Sequence, residues 1–293
     1  MKKFLKFDES QERSDRKILI LILSSEDPIN LRDEQAQRAT WAKDHLECRV
    51  IWIKGDISKG EYFEPENRIL YLDLEEKTSN ILRKTILAIR WAMAQDWKPD
   101  IIVRSNVSTY FNTDKLIKKC KRVFFQEDKP YVAGYFDRHK ENYIGQTPKK
   151  DFASGAGIFL NEMAIESLLN IDVQEFENIP DDVAISMYLL KNNVIPASFS
   201  RCNIHITGIF LNTAYLRVKS STDSTLASKR MAMIHEFNVE ERLFFRIKKL
   251  IKLYVSELRS LMASKNRRRS YFRMILSLFL NNLRNLVIAR NYE

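Results

Sequence analysis

The feature that most constrains this chain is an uninterrupted apolar run, Ile18 to Leu23, inside the segment KILILILSS at 17–25. A strand with one wet face alternates apolar and polar residues. A run apolar at every position needs cover on both faces, as in the parallel strands of α/β proteins. It is also far too short to cross a bilayer, which takes about 20 helical residues. The segments CRVIWIKG (48–55), NRILYLDL (67–74), DIIVRSN (100–106) and YVAGYFD (131–137) read as further strands. Between them, DPINLRDEQAQRATWAKDH reads as a loop entering a helix. Residues 75–97 form a helix, because Ile81, Leu82, Thr85, Ile86, Ile89 and Met93 recur at three-to-four spacing until Pro99 intervenes. TDKLIKKCKRVFF is a second helix with Thr113 as its N-cap, and 138–152 reads as a long polar loop. Strands and helices in alternation, with a mixed later half, predict a three-layer α/β sandwich.

Charge divides the chain more sharply than hydropathy does. From Glu240 to Glu293 there are 13 Lys+Arg against 4 Asp+Glu, which leaves 35 against 34 in the preceding 239 residues. A neutral core followed by a basic tail calls for an anionic tail partner, either lipid headgroups or nucleic acid. The texture changes at Asn238, so the division is a core of 1–237 and a helical tail of 238–293. With only 7 Gly and 7 Pro, the chain is not linker-rich. Cys48, Cys120 and Cys202 are far apart and without metal-type spacing, which suits reduced thiols in a cytoplasmic protein. MKKFLKF imitates the start of a secretion signal but runs into DESQERSDRK where an apolar stretch should follow, so no leader is expected.

Four landmarks, in order, carry a resemblance across residues 18–210. Two arginines precede a Thr-Trp pair: Arg32, Arg38, Thr40 and Trp41. SNILRKT (79–85) opens the helix containing Lys84, FASGAGIFL (152–160) holds Gly155, Ala156 and Gly157, and IPDDVAIS (179–186) holds Asp181 and Asp182. The ordered set resembles the β-1,3-glycosyltransferase superfamily that includes fringe and the β-1,3-galactosyl- and N-acetylglucosaminyltransferases. The resemblance implies a GT-A-type three-layer sandwich, to which the tail adds a C-terminal helical extension. It also implies a nucleoside-diphosphate sugar donor, a UDP-sugar by preference, and a β-linkage formed with inversion.

The chemistry gives each residue a role and an alternative. A diphosphate needs cations and donors, which Ser25, Arg32, Arg38, Lys84 and Arg104 can supply. Arg38 and Lys84 read equally as a solvated helix face, and Trp41 as core packing. The glycines flanking Ala156 permit close approach by an acceptor or by neighbouring backbone. An inverting transferase needs a carboxylate to take the acceptor's proton, a role that the resemblance gives to Asp182 with Asp181 beside it. Pro-Asp-Asp is also good chemistry for a helix start.

The sequence departs from the family's pattern after the fourth strand. VRSNVSTYFN places Asn106 and Ser108 where the family has the two carboxylates of its metal-holding Asp-x-Asp cluster. Neutral Asn and Ser are poor ligands for a hard divalent cation. Metal-free donor binding is therefore expected, with Arg104 supplying the positive charge; loss of activity is the alternative. His205, in RCNIHITG, stands where such folds place a late metal-binding histidine, and here reads as a core or diphosphate-contacting side chain.

In the tail, residues 242–262 and 271–288 are two amphipathic helices with basic borders and a basic break between them. Leu, Ile and Phe faces flanked by Arg and Lys suit an anionic bilayer surface. Packing onto the core, or onto a second copy in a homo-oligomer, is the alternative. Nucleic acid is not expected, since no stacking platform interleaves the charges. The reading is a cytoplasmic, membrane-peripheral transferase acting on a glycan or lipid-linked acceptor. Its rival is an inactive relative serving as a membrane-bound interaction module.

Overall fold

The computed structural model describes residues 16–43, 45–124, 129–138, 151–199, 201–203, 215–218 and 227–238, with positions 251 and 255. The first half alternates strands and helices: β1 (Ile18–Leu23), α1 (Pro28–Ala39), β2 (Cys48–Gly55), β3 (Tyr62–Glu64), β4 (Ile69–Leu72), α2 (Ile81–Met93) and β5 (Ile101–Asn106). Then come β6 (Thr109–Phe111), α3 (Thr113–Val123), β7 (Tyr131–Arg138), β8 (Asp151–Asn161), α4 (Glu162–Leu168) and α5 (Asp181–Lys191). The last described elements are β9 (Ile195–Ser198), β10 (Arg201–Asn203), β11 (Tyr215–Arg217) and α6 (Ala227–Asn238).

Eight strands form one sheet in the order β3-β4-β2-β1-β5-β8-β7-β9. β1 lies parallel to both β2 and β5, whereas β8 runs antiparallel to β5 and β7. β10, β11 and β6 make a small second sheet. The continuous apolar run of β1 serves both layers: Ile18, Ile20 and Ile22 join one core cluster, Leu19 and Leu21 the other. α1, α3 and α6 cover the first face, where α1 packs on α6, and α2, α4 and α5 cover the second. The chain thus forms the three-layer α/β/α sandwich expected from the alternation.

Local details differ from expectation for identifiable reasons. The helix expected at 75–97 narrows to a 3₁₀ turn at Thr78–Asn80 followed by α2. Glu76 is occupied at the end of β2, where its Oε2 accepts from the Gly55 amide at 2.7 Å. Asn112, not Thr113, caps α3, accepting from the Lys115 amide at 3.2 Å; both are capping residues and the chain enters one position earlier. β8 already begins at Asp151, so the strand takes the end of the expected loop. α1 starts as Pro at the first helical position predicts, with the Asp27 carboxylate accepting from the Ile29 amide at 2.8 Å. The boundary at 237/238 falls at the end of α6, and the two expected tail helices lie outside the described residues apart from Ile251 and Val255, both exposed. No helix among the described residues is long and apolar enough to cross a membrane.

Candidate functional site

The sheet order creates a crevice. From β1 the chain goes to β2 on one side, and the crossover through α2 from β4 lands on the other side as β5. The connections diverge beyond the carboxyl ends of β1 and β5, the position at which open α/β sheets hold ligands. A cleft of about 580 Å³ lies there, and its lining includes Ser24, Ser25, Asp33, Glu76, Lys84, Arg104, Asn106 and Ser108.

Arg104, in β5, is the centre of the arrangement. It is 4% exposed, and its Nη1 donates to the Gly155 carbonyl at 2.5 Å while Nη2 pairs with the Asp181 carboxylate. Its Nε is buried with no hydrogen-bond partner among the described residues, and the residue lines the crevice. Asp181 and Asp182 open α5 but face different partners. Asp182 accepts from the Gly155 amide at 2.9 Å and the Val183 amide at 3.0 Å, clipping the helix start to β8. Burial pushes the Asp181 carboxyl above its usual range, and the Arg104 guanidinium opposes that shift.

Gly155 is where these groups meet. A Cβ there would collide with Arg104 Nη1 and lie 3.2 Å from Asp182 Oδ2, so the close approach needs a residue without a side chain. Ala156 offers its carbonyl to Ser105 Oγ at 2.8 Å and Thr109 Oγ1 at 3.1 Å, and the Gly157 carbonyl backs onto Gly134. These last two contacts are packing within the sheet.

Lys84 supplies the second cation. It is 2% exposed, donating to the Ser24 carbonyl at 2.9 Å and to Glu76 Oε1 at 2.5 Å. Burial lowers its pKa, and Glu76 works against that shift. Ser25 Oγ accepts from Asn30 Nδ2 at 2.7 Å and from the Asp27 amide at 3.2 Å, shaping the loop into α1. Asn106 Oδ1 accepts from the Ser108 amide, Ser108 Oγ and Thr109 Oγ1, while its Nδ2 donates to the Gly155 carbonyl. That oxygen is committed to holding the turn after β5, a donor set unsuited to a divalent metal. Among the described residues no group of three or more His, Cys, Asp or Glu side chains could hold a metal ion.

Thus Ser25, Lys84, Arg104, Asn106 and Ser108 line the cleft, and Asp181, Asp182 and Gly155 adjoin it through Arg104. Arg38 lies elsewhere: Glu34 accepts from its Nη2 at 2.7 Å, and its guanidinium stacks 3.7 Å over Trp52. Arg32 lies 3.8 Å from Asp33 Oδ1 and is not part of the lining, although Asp33 is. His205 lies outside the described residues. Glu76 and Asn30 were not legible as site residues. Glu76 lies between β4 and the 3₁₀ turn, outside the helix that carries Lys84, so no period within one element links the two.

The fold and its site therefore define an α/β protein with a paired-cation crevice at its switch point. By sequence the chain matches no family profile and no curated protein. Solved structures give low-scoring likenesses. One is a glycosyltransferase involved in glycosylation of the major capsid of PBCV-1, at 12% identity and TM-score 0.44, over 73% of this chain and 99% of that one. Another is a mannosyltransferase from Pyrobaculum calidifontis in complex with GDP-Man and Mn2+, at 9% and 0.46, over 98% and 89%. A third is the glycosyltransferase GlyE of Streptococcus pneumoniae TIGR4, at 11% and 0.40, over 83% and 64%.

Proposed function

We propose that the chain is a GT-A-type glycosyltransferase that moves a sugar from a nucleoside-diphosphate donor to a glycan or lipid-linked acceptor with inversion. The observation that carries the reading is Arg104, a buried guanidinium that lines the crevice at the switch point together with buried Lys84. The donor, a UDP-sugar by preference, sets its diphosphate against Arg104 and Lys84. Asp182, oriented by two backbone amides, takes the proton of the acceptor hydroxyl as its oxygen attacks the anomeric carbon and the diphosphate leaves with the bonding electrons. Asp181 holds Arg104 in position. Binding proceeds without a divalent metal, a proposal supported by the commitment of Asn106 Oδ1 to the turn.

The basic segment 240–293 attaches the enzyme to the anionic inner face of a membrane as a cytoplasmic, peripheral protein. Pairing of two copies through that segment is the competing use of its apolar faces. The presence of Asn106 and Ser108 in place of carboxylates also favours a second reading, an inactive relative that binds a nucleotide sugar or a partner without transfer. Calorimetric titration with UDP, GDP, CMP and dTDP tests the first. One of the diphosphates should bind, and Arg104→Met should weaken it by about tenfold or more, the loss expected for a charge-assisted contact. Binding of none, or undiminished binding by Arg104→Met, refutes the placement. Binding without any hydrolysis or transfer favours the inactive reading.

A further inference from the structure

A second cavity, of about 550 Å³, lies at the opposite end of the sheet from the crevice, beside the amino end of β2 and the carboxyl end of α2. β4 joins β2 only from Trp52 onward, so Cys48–Ile51 form its back wall. Its aromatic surfaces are Trp91, Trp97 and Phe63, and Phe63 meets Trp91 at 5.0 Å between ring centroids. Arg49 and Arg68 supply two guanidiniums against the single carboxylate of Asp96.

Three donors in this cavity are held ready. The Arg49 guanidinium is fixed 4.3 Å over the Trp97 ring and has no hydrogen bond or ion pair among the described residues. The indole N–H groups of the half-buried Trp91 and Trp97 have no hydrogen-bond partner among them either. Arg68 takes a left-handed backbone with φ of 52°, uncommon for arginine, and its Nη2 donates to the Ala42 carbonyl at 2.8 Å. Apolar and aromatic walls with a few convergent polar groups, at this volume, are the ordinary composition of a small-molecule site.

We propose that this cavity is a second ligand site, for a sugar ring that bears a carboxylate, such as a uronic acid unit. The tryptophan faces receive the C–H face of the ring, and the two indole N–H groups donate to its hydroxyl oxygens. Gln95 and Asp96 at the rim accept from ring hydroxyls, and Arg49 takes the carboxylate in its two-pronged geometry. The site stands apart from the crevice and does not depend on the transfer reading.

The test follows the indole N–H resonances of the full chain by NMR during titration with methyl β-D-glucuronide, with methyl β-D-glucoside as the neutral control. Trp91→Phe and Trp97→Phe assign the signals. The chain has 4 tryptophans. The resonance of Trp52, whose Nε1 donates to Gln37 at 2.9 Å, reports that the fold is intact. Trp91 and Trp97 should shift with the glucuronide while Trp41 and Trp52 stay. Arg49→Gln, at an exposed position, should weaken the glucuronide by about tenfold, the scale of one charged hydrogen-bonded contact, and leave the glucoside unchanged. Absence of shifts at Trp91 and Trp97, equal affinity for the two glycosides, or unchanged glucuronide binding by Arg49→Gln each overturns the proposal.

Discussion

Gly155→Ala is the most informative single change, because it adds one carbon at the point where the site's charges meet. The new Cβ collides with Arg104 Nη1 and comes within 3.2 Å of Asp182 Oδ2. The colliding atom is the end of a flexible side chain, so the arginine moves before the strand does. Moving it breaks the contact with the Gly155 carbonyl and the ion pair with Asp181, leaving that carboxylate buried without its cation. One charge-assisted hydrogen bond is worth about 1.5–3 kcal/mol. Replacing glycine by alanine returns roughly 0.4–1 kcal/mol through the unfolded chain. The net cost is then about 0.5–2.6 kcal/mol, and at roughly 2–4 °C per kcal/mol for a domain of this size the melting temperature falls by about 1–10 °C.

Scanning fluorimetry and nucleotide titration measure both consequences, with the affinity for the diphosphate that binds wild type falling by about tenfold. A double variant isolates the cause. If the clash acts through Arg104, adding Gly155→Ala to Arg104→Met should cost little beyond Arg104→Met alone, a departure from additivity of about 1 kcal/mol. Gly60→Ala is the contrast: a Cβ there meets nothing within 4 Å, so only the φ of +66° is strained and nucleotide affinity stays at the wild-type value. Wild-type melting and full nucleotide affinity in Gly155→Ala would refute the reasoning.

Four further outcomes follow from the same geometry and from the tail. Asp182→Asn should lower turnover by about 10²–10⁴-fold with donor affinity retained, as for loss of a general base; turnover within about threefold of wild type removes it from the mechanism. Transfer should persist in excess EDTA, and rescue of a chelated, inactive enzyme by Mn2+ or Mg2+ would defeat the metal-free proposal. Burial holds the Asp181 carboxyl above its ordinary 3.8 despite Arg104, so its stabilising contribution is complete below that value and is lost as pH rises through the higher folded-state value. The melting temperature of wild type relative to Asp181→Asn should therefore decline as pH rises above about 4, and an increase instead would show that Arg104 dominates. Deleting residues 240–293 should abolish co-sedimentation with phosphatidylglycerol vesicles while nucleotide binding survives; equal sedimentation of both forms excludes the membrane role.

The sheet was legible because its signal is local. Six consecutive apolar residues in β1 state that both faces are covered, and Ile18 and Leu19 go to opposite layers as strand geometry requires. Cap placement was less legible, since Asn112 and Thr113 are adjacent and equally able to accept an amide. The site was legible only in part. Arg104 and Asp181 are 77 positions apart, and no periodicity links them. Arg38 illustrates the opposite difficulty. Its partner Glu34 is four residues away on the same helix, a pairing that spacing does encode, and that local pair occupies the guanidinium.

The crevice keeps its cations neutralised. Lys84 is paired with Glu76 and Arg104 with Asp181, each cation at least nine-tenths buried. An unpaired charge at such depth is costly, so a site built to receive an anion needs an internal counter-charge while it is empty. The two pairs are not equivalent. Glu76 is 32% exposed in its side chain and can turn to water, whereas Asp181 is 10% exposed and has little water to turn to. Under the proposed function, a diphosphate entering the crevice would displace Glu76 from Lys84 at small cost. Lys84 would then be the cation that exchanges partners on binding, and Arg104, held by Asp181, the fixed one beside it.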